Sequence, residues 1–266
     1  MITADSHMHT WWSTDSEADP MDMCRAAVNA RLDTIIITDH HDIGCPAGGF
    51  EQDEATYPQQ VRALARRVEG RLRVLTGIEL GLQTTQEARI KRFLKDHRSD
   101  YDEIIGSTHY ILGEDPWEAS YWADHPGTEG YVRYYEALVN NIRLFEGFDT
   151  VGHLDYPIRY GLRERRPYRE ADYSDAIDTV LKTLIERGTA LECNTAVWPL
   201  MGQPNPSGTI LFRYRQLGGE LITVGGDAHD PDHVAQYFKE ASDLLKQIGF
   251  TYYAVFEQHR PVMRKL

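Results

Sequence analysis

Seven short apolar segments recur along the chain, and each is separated from the next by a longer, charged stretch of helical composition. Alternation of strand and helix at this spacing is typical of βαβ units, in which helices connect parallel strands. The predicted strands are residues 1–7, 34–38, 73–78, 103–107, 150–153, 190–193 and 221–224. The predicted helices are residues 21–30, 57–69, 86–97, 131–145, 175–187 and 233–248.

These repeats constrain the fold class to α/β. Seven units without a long Pro-, Gly- or Ser-rich linker favour one domain over residues 1–266, closed or nearly closed into a barrel. A doubly wound open sheet is the alternative. Two insertions, residues 113–130 and 156–169, follow predicted strands, so in a barrel they would lie on the face where active sites form.

Composition narrows the classes of partner and compartment. A formal charge of −13 disfavours nucleic acid and anionic membranes as partners, because both require a basic surface. Carboxylates that bind divalent cations would contribute to this acidic excess. The three cysteines form no C-x-x-C pair, no apolar run reaches about 18 residues, and no signal peptide is evident. We therefore expect a cytoplasmic protein without disulfides.

Almost every predicted strand ends in residues that can bind a metal ion. The terminal motifs read DSHMHT, TDHHD, GIELG, GSTHY, GHLDY, ECNT and GGDAHD. Side chains two residues apart on a strand point the same way, and parallel barrel strands bring their carboxyl ends to one mouth. So many titratable groups in one pocket would repel each other or remain unsatisfied unless divalent cations were bound. The mixed nitrogen and oxygen donors suit zinc, iron or manganese better than calcium or magnesium.

These motifs, in this order, resemble the PHP (polymerase and histidinol phosphatase) family, and its histidinol-phosphatase branch in particular. The resemblance covers nearly the whole chain and implies a distorted (β/α)7 barrel with a three-metal site at the carboxyl ends of the strands. Glu79 would bridge two of the ions, since a carboxylate has two usable oxygens. The nine ligands that the family pattern implies are His7, His9, Asp15, His40, Glu79, His109, His153, Asp227 and His229.

The reaction that this resemblance implies is hydrolysis of a small phosphorylated substrate by a metal-bound hydroxide. Asp42 or Asp155 is predicted to protonate the leaving alkoxide, and the residues alone do not distinguish them. Asp5 and Asn194 are predicted to support the ligands from behind.

The chain departs from the family in the loop after ECNT, which usually supplies an arginine for the substrate phosphate. Here the loop reads AVWPLMGQPNPS. This puts histidinol phosphate in question as the substrate, although the metal chemistry is unaffected. Arg159 matches a basic family position and is the predicted phosphate contact. The other arginines of residues 156–169 fit either a phosphate-binding loop or a salt-bridged surface.

Other functions remain open at this stage. Within the same family, the substrate could be a phosphodiester or a nucleotide. A barrel amidohydrolase that cleaves a C–N bond also carries H-x-H on its first strand and an aspartate on its last, but the glutamate of GIELG and the late D-x-H favour the phosphoesterase. A purely structural module is disfavoured, because all nine ligand positions are filled.

Overall fold

A parallel barrel forms the body of the protein. The computed structural model describes residues 1–266. Its strands are β1 (Ala4–Asp5), β2 (Thr34–Ile37), β3 (His40–His41), β4 (Arg73–Gly81), β5 (Glu103–Ser107), β6 (Thr150–Val151), β7 (Ala190–Asn194) and β8 (Ile222–Gly225). The sheet order is β1-β2-β4-β5-β6-β7-β8, with β3 paired to β4, and all of these pairings are parallel.

The first and last strands of this sheet close the barrel. The nitrogen of Ser6 donates to the oxygen of Val224 at 3.0 Å, and the nitrogen of His9 donates to the oxygen of Ala228 at 2.9 Å. The barrel is distorted because strand β2 ends at Ile37 and the chain continues in a separate short strand, β3. The predicted barrel is therefore confirmed, and the open doubly wound sheet is wrong.

Ten helices surround or cap the sheet. They are α1 (Pro20–Asn29), α2 (Tyr57–Val68), α3 (Glu87–His97), α4 (Ala119–Asp124), α5 (Glu129–Leu144), α6 (Ile158–Arg163), α7 (Ser174–Arg187), α8 (Trp198–Met201), α9 (Gly208–Gln216) and α10 (Phe238–Ile248). Their apolar faces and the buried strands share one core of 61 residues. None of the helices is long and apolar enough to cross a membrane.

The carboxyl-terminal segment differs from the sequence prediction. Residues 252–266 contain an antiparallel hairpin, β9 (Tyr252–Glu257) and β10 (Arg260–Lys265), which had not been predicted. The hairpin is tied to the amino-terminal ends of the barrel strands, where Nδ1 of His259 lies 2.8 Å from Oδ2 of Asp149. Helix α9 was also not predicted, and α10 begins at Phe238 rather than at residue 233 because a short 3-10 helix, Pro231–His233, precedes it.

Candidate metal centre

A cavity of about 650 Å³ opens at the carboxyl ends of the barrel strands. Residues of both predicted insertions line it, among them Trp117 and Arg159, which places the insertions on the expected face. Seven of the nine predicted metal ligands line the cavity, namely Asp15, His40, Glu79, His109, His153, Asp227 and His229. The other two, His7 and His9, are fully buried beneath it.

The first group of donor atoms surrounds Oε2 of Glu79. Nε2 of His7 lies 3.3 Å from this oxygen, and Nε2 of His9 lies 3.5 Å from it. Oδ1 of Asp227 completes the group at 3.1 Å from Nε2 of His9. The H-x-H pair of β1 therefore faces the bridging carboxylate from one side, as side chains two residues apart on an extended segment should.

The second group surrounds the other oxygen of the same carboxylate. Nε2 of His109 lies 3.1 Å from Oε1 of Glu79, and Nε2 of His153 lies 2.8 Å from it. The hydroxyl of Ser107 also donates to this oxygen at 2.7 Å. The two oxygens of Glu79 therefore face different groups of histidines.

The third group lies nearer the solvent. Oδ2 of Asp15 is 3.3 Å from Nε2 of His40 and 3.1 Å from Nε2 of His229. The ring of His9 stacks between these two histidines, with centroid distances of 4.2 Å to each. The structure thus brings all nine predicted ligands together in three adjoining groups.

The donor atoms of these groups fit bound cations. Nδ1 of His40 and Oε2 of Glu79 are buried and lie 2.9 Å apart, but they do not form a hydrogen bond with each other or with any other group. Nε2 of His7 faces Nε2 of His9 at 3.1 Å, although two imidazole nitrogens that both carry lone pairs cannot satisfy each other. A cation between such atoms accepts all of these lone pairs at once, and the mixed nitrogen and oxygen set suits a transition metal.

Electrostatics give two of these ligands, Glu79 and His9, the protonation state that binds a metal ion. Burial alone would raise the pKa of Glu79, but the imidazoles of His7, His109 and His40 hold it well below its ordinary value. Burial, together with His229 and His40, lowers the pKa of His9 to about 3. The bridging carboxylate is therefore ionised and the His9 imidazole is neutral at neutral pH, which are the forms that bind metals.

A second layer of side chains orients the ligands. Oε1 of Glu192 lies 2.6 Å from Nδ1 of His7, and Nδ2 of Asn194 donates to Oδ2 of Asp227 at 3.2 Å. Asn194 thus lies where it was predicted to support a ligand. Asp5 was predicted to do the same, but its Oδ1 accepts from the backbone nitrogens of His7 and Gly226 rather than from a ring.

The two predicted proton donors lie in different surroundings. Asp42 lines the cavity, and its Oδ1 lies 2.9 Å from Nδ1 of His109. Asp155 is fully buried and does not line the cavity, because its oxygens accept from Nδ2 of Asn205 at 2.5 Å and from the nitrogen of Ser207 at 3.0 Å. Of the two candidate proton donors, Asp42 therefore faces the cavity and Asp155 does not.

Arg159 is the one arginine of its loop that lines the cavity. Its guanidinium carbon lies 4.6 Å from the ring centroid of Tyr156 and 5.1 Å from that of Tyr160, and its Nε has no hydrogen-bond partner. Other arginines of the loop are engaged elsewhere: Arg166 donates to the oxygen of Trp122, and Arg169 pairs with Asp172. Among the arginines of residues 156–169, Arg159 is therefore the one that a ligand in the cavity would meet.

Comparison with known proteins identifies the family. The model of the PHP domain matches residues 5–196. The chain belongs to the PHP domain family. A protein named as a probable histidinol-phosphatase of Clostridium acetobutylicum is 30% identical over 91% of this chain and 92% of its own length. The histidinol-phosphatase of Lactococcus lactis is 26% identical over 96% of this chain and 95% of its own length.

A solved structure extends this PHP relationship to the fold. The histidinol phosphate phosphatase of Lactococcus lactis, in complex with zinc, L-histidinol and phosphate, superposes with a TM-score of 0.87 at 25% identity over 98% of each chain. These findings confirm the histidinol-phosphatase-like branch and favour the phosphoesterase over the amidohydrolase. The protein is a metal-dependent phosphoric ester hydrolase that acts on a small phosphorylated substrate.

Sequence reasoning left two residues of the site unassigned. The motif ECNT left Glu192 open between support of a ligand and strand-end hydrogen bonding, and TDHHD offered Asp39 without a defined role. In the structure, the hydroxyl of Ser13 donates to Asp39 at 2.9 Å and lies 3.2 Å from Nδ1 of His9. Both carboxylates are buried. The sequence signal for such a role is that Asp39 begins a D-x-H pattern and Glu192 begins an E-x-N pattern, both at the end of a strand.

Proposed function

We propose that the protein hydrolyses the phosphomonoester of an amino alcohol, with histidinol phosphate as the substrate, at a centre of three divalent ions. The observation that carries this proposal is the division of the Glu79 oxygens between two groups of histidines, beside a third group around Asp15. Zinc is the metal that the donor set and the zinc-containing Lactococcus lactis relative favour.

The nine predicted ligands would hold these ions, three or four donor atoms to each. When bound, the ions would supply Lewis-acid activation of water and neutralise charge on the phosphoryl oxygens. The chain's own carboxylates fix the geometry: Asp42 holds Nδ1 of His109, and Glu192 holds Nδ1 of His7, so that each ring presents Nε2 to the centre. We therefore assign Asp42 as a positioning residue rather than as the acid.

The phosphate group would be held by Arg159. Its guanidinium lies in the cavity between two tyrosine rings, which leave its N–H groups free for a planar, charge-assisted contact with phosphoryl oxygens. This contact would serve in place of the arginine that the loop after Asn194 lacks.

The outer part of the cavity supports a cationic leaving group. Asp115 and Glu118 line it and form no ion pair, and Oδ1 of Asp115 accepts only from the nitrogen of Trp117, at 2.8 Å. Carboxylates beside the exposed ring of Trp117 suit the ammonium and imidazole groups of histidinol. A neutral sugar phosphate would leave these charges unpaired.

The test is a phosphatase assay on the zinc-reconstituted protein with histidinol phosphate and a sugar phosphate. We expect turnover of histidinol phosphate to exceed that of the sugar phosphate by at least about tenfold in kcat/KM. Arg159→Met should raise KM for histidinol phosphate by about tenfold or more, because one charge-assisted contact is lost. Arg163→Met, on the same loop but outside the cavity, is the matched control.

The number of ions is tested separately by elemental analysis. We expect a ratio near three zinc ions per chain, and Asp15→Asn should reduce it by about one because only the third group contains Asp15. Asp22→Asn, an exposed carboxylate on α1, should leave the ratio unchanged. A wild-type ratio of two would contradict the three-ion centre while leaving the phosphatase assignment intact.

A further inference from the structure

A carboxylate–imidazole pair at the cavity wall lies outside the proposed ligand set. Asp230 and His233 follow the last two ligands of the chain, and both line the cavity. Oδ2 of Asp230 lies 2.6 Å from Nδ1 of His233, and Oδ1 of Asp230 accepts from the nitrogen of Asp232 at 2.9 Å. The aspartate is thus fixed by the backbone and in turn fixes the imidazole.

This contact determines which nitrogen of His233 is free. An ionised carboxylate can only accept, so Nδ1 of His233 carries a proton, and Nε2 has no partner within the protein. The side chain is 54% exposed, so a molecule in the cavity can reach it. The other four histidines at the cavity wall differ, because each directs a ring nitrogen at Glu79 or Asp15.

Other protic groups in the cavity are less suited to deliver a proton. Asp42 is engaged with His109, and Arg159 remains protonated under all ordinary conditions. Burial raises the pKa of Tyr156 well above its ordinary value, so its hydroxyl is a weak acid. Asp155 lies outside the cavity. An imidazolium, by contrast, is matched to proton transfer near neutral pH.

We propose that His233 is a catalytic residue that protonates the leaving group, with Asp230 as its positioning residue. As the oxygen of water bonds to phosphorus and one proton of that water passes to solvent, the bond between phosphorus and the ester oxygen breaks. The electron pair of that bond takes the proton from Nε2 of His233, so the product leaves as a neutral alcohol. The imidazole then regains a proton from solvent. This inference rests on the proposed phosphomonoesterase function.

The test compares two esters whose leaving groups differ in their need for a proton. Histidinol phosphate releases an alkoxide, whereas para-nitrophenyl phosphate releases a stable phenolate. In His233→Gln, which keeps a side-chain N–H donor, we expect kcat for histidinol phosphate to fall by about 100-fold and kcat for the aryl ester by less than about fivefold. Asp230→Asn should show the same selectivity with a smaller loss, and zinc content should match the wild type in both variants.

The control is His125→Gln, because His125 pairs with the carboxylate of Glu114 as His233 pairs with Asp230, but it does not line the cavity. Equal losses for both esters, or no loss for either, would overturn the assignment of His233. A selective loss in Asp115→Asn but not in His233→Gln would also overturn it and move the role to Asp115. If the wild type hydrolyses neither ester, the phosphatase function itself fails, which is a separate outcome.

Discussion

Oε1 of Glu192 lies 2.6 Å from Nδ1 of His7, and this contact determines that Nε2 of His7 faces Glu79 and Asp227. Glu192 also accepts from the backbone nitrogen of His153 at 2.8 Å. One buried carboxylate therefore orients ligands on two different strands. Such outer contacts set both the tautomer and the basicity of a metal-binding imidazole.

Replacing this carboxylate should weaken metal binding without unfolding the barrel. We expect Glu192→Gln to lower zinc affinity by about 10- to 100-fold, because an amide accepts more weakly from Nδ1 and no longer polarises the ring. Competition with a chromophoric chelator measures the change. Glu103→Gln is the matched control, since Glu103 is equally buried but bonds the hydroxyl of Thr150. Equal effects in both variants would argue against an orienting role for Glu192.

Gly81 illustrates a second constraint on the site. A Cβ atom at Gly81 would lie 2.8 Å from Cγ of Asp42, closer than packed atoms allow. Gly81→Ala should therefore displace Asp42 from His109 and lower zinc content and kcat together, and we expect the same of Asp42→Asn. Gly208→Ala is the control, because its Cβ would meet only ordinary contacts at 3.6 Å. Normal zinc content in Gly81→Ala would contradict this role of Asp42.

The ligands could be predicted from sequence because their positions follow from strand periodicity. His7 and His9 lie two residues apart, and every parallel strand ends at the same mouth, so the terminal motifs had to converge. The partners of the ligands could not be assigned in this way. Asp5 and Glu192 are both buried carboxylates near strand ends, and only the packing of β1 against β7 and β8 decides that Glu192 meets the ring while Asp5 meets the backbone.

The same limit explains why the surroundings of Asp155 could not be predicted. In sequence it forms an H-x-D pair with His153, which suggests a common direction, but the strand β6 ends at Val151 and the chain turns before Asp155. Its side chain instead binds residues of the loop after β7. The hairpin β9–β10 was missed for another reason: its contacts with the barrel are distant in sequence, and its own alternation of apolar residues is short.

Metal removal should lower the stability of the protein. Without cations, the carboxylates and imidazoles of the site lose their shared counter-charges in a buried environment. We expect chelation to lower the melting temperature and zinc to restore it, with a gain of about 2.7 kcal/mol when free zinc is 100 times its Kd. Differential scanning calorimetry over a range of free zinc concentrations measures the shift. A melting temperature that does not depend on zinc would contradict metal binding at this site.

The carboxyl-terminal hairpin should stabilise the barrel without contributing to the metal centre. Phe256 is 3% exposed and packs with Ala190 and Ala254. We expect Phe256→Ala to lower the free energy of unfolding by about 3–5 kcal/mol, because it leaves a cavity in the core, and to leave zinc affinity unchanged.

Val262→Ala, on the facing strand but 39% exposed, should change the free energy of unfolding by no more than about 0.5 kcal/mol. Urea unfolding measures both variants. If Phe256→Ala also lowered zinc affinity, the hairpin would be coupled to the site across the barrel. If it left stability unchanged, the hairpin would not be part of the cooperative core, and its packing against β7 would carry no weight in folding.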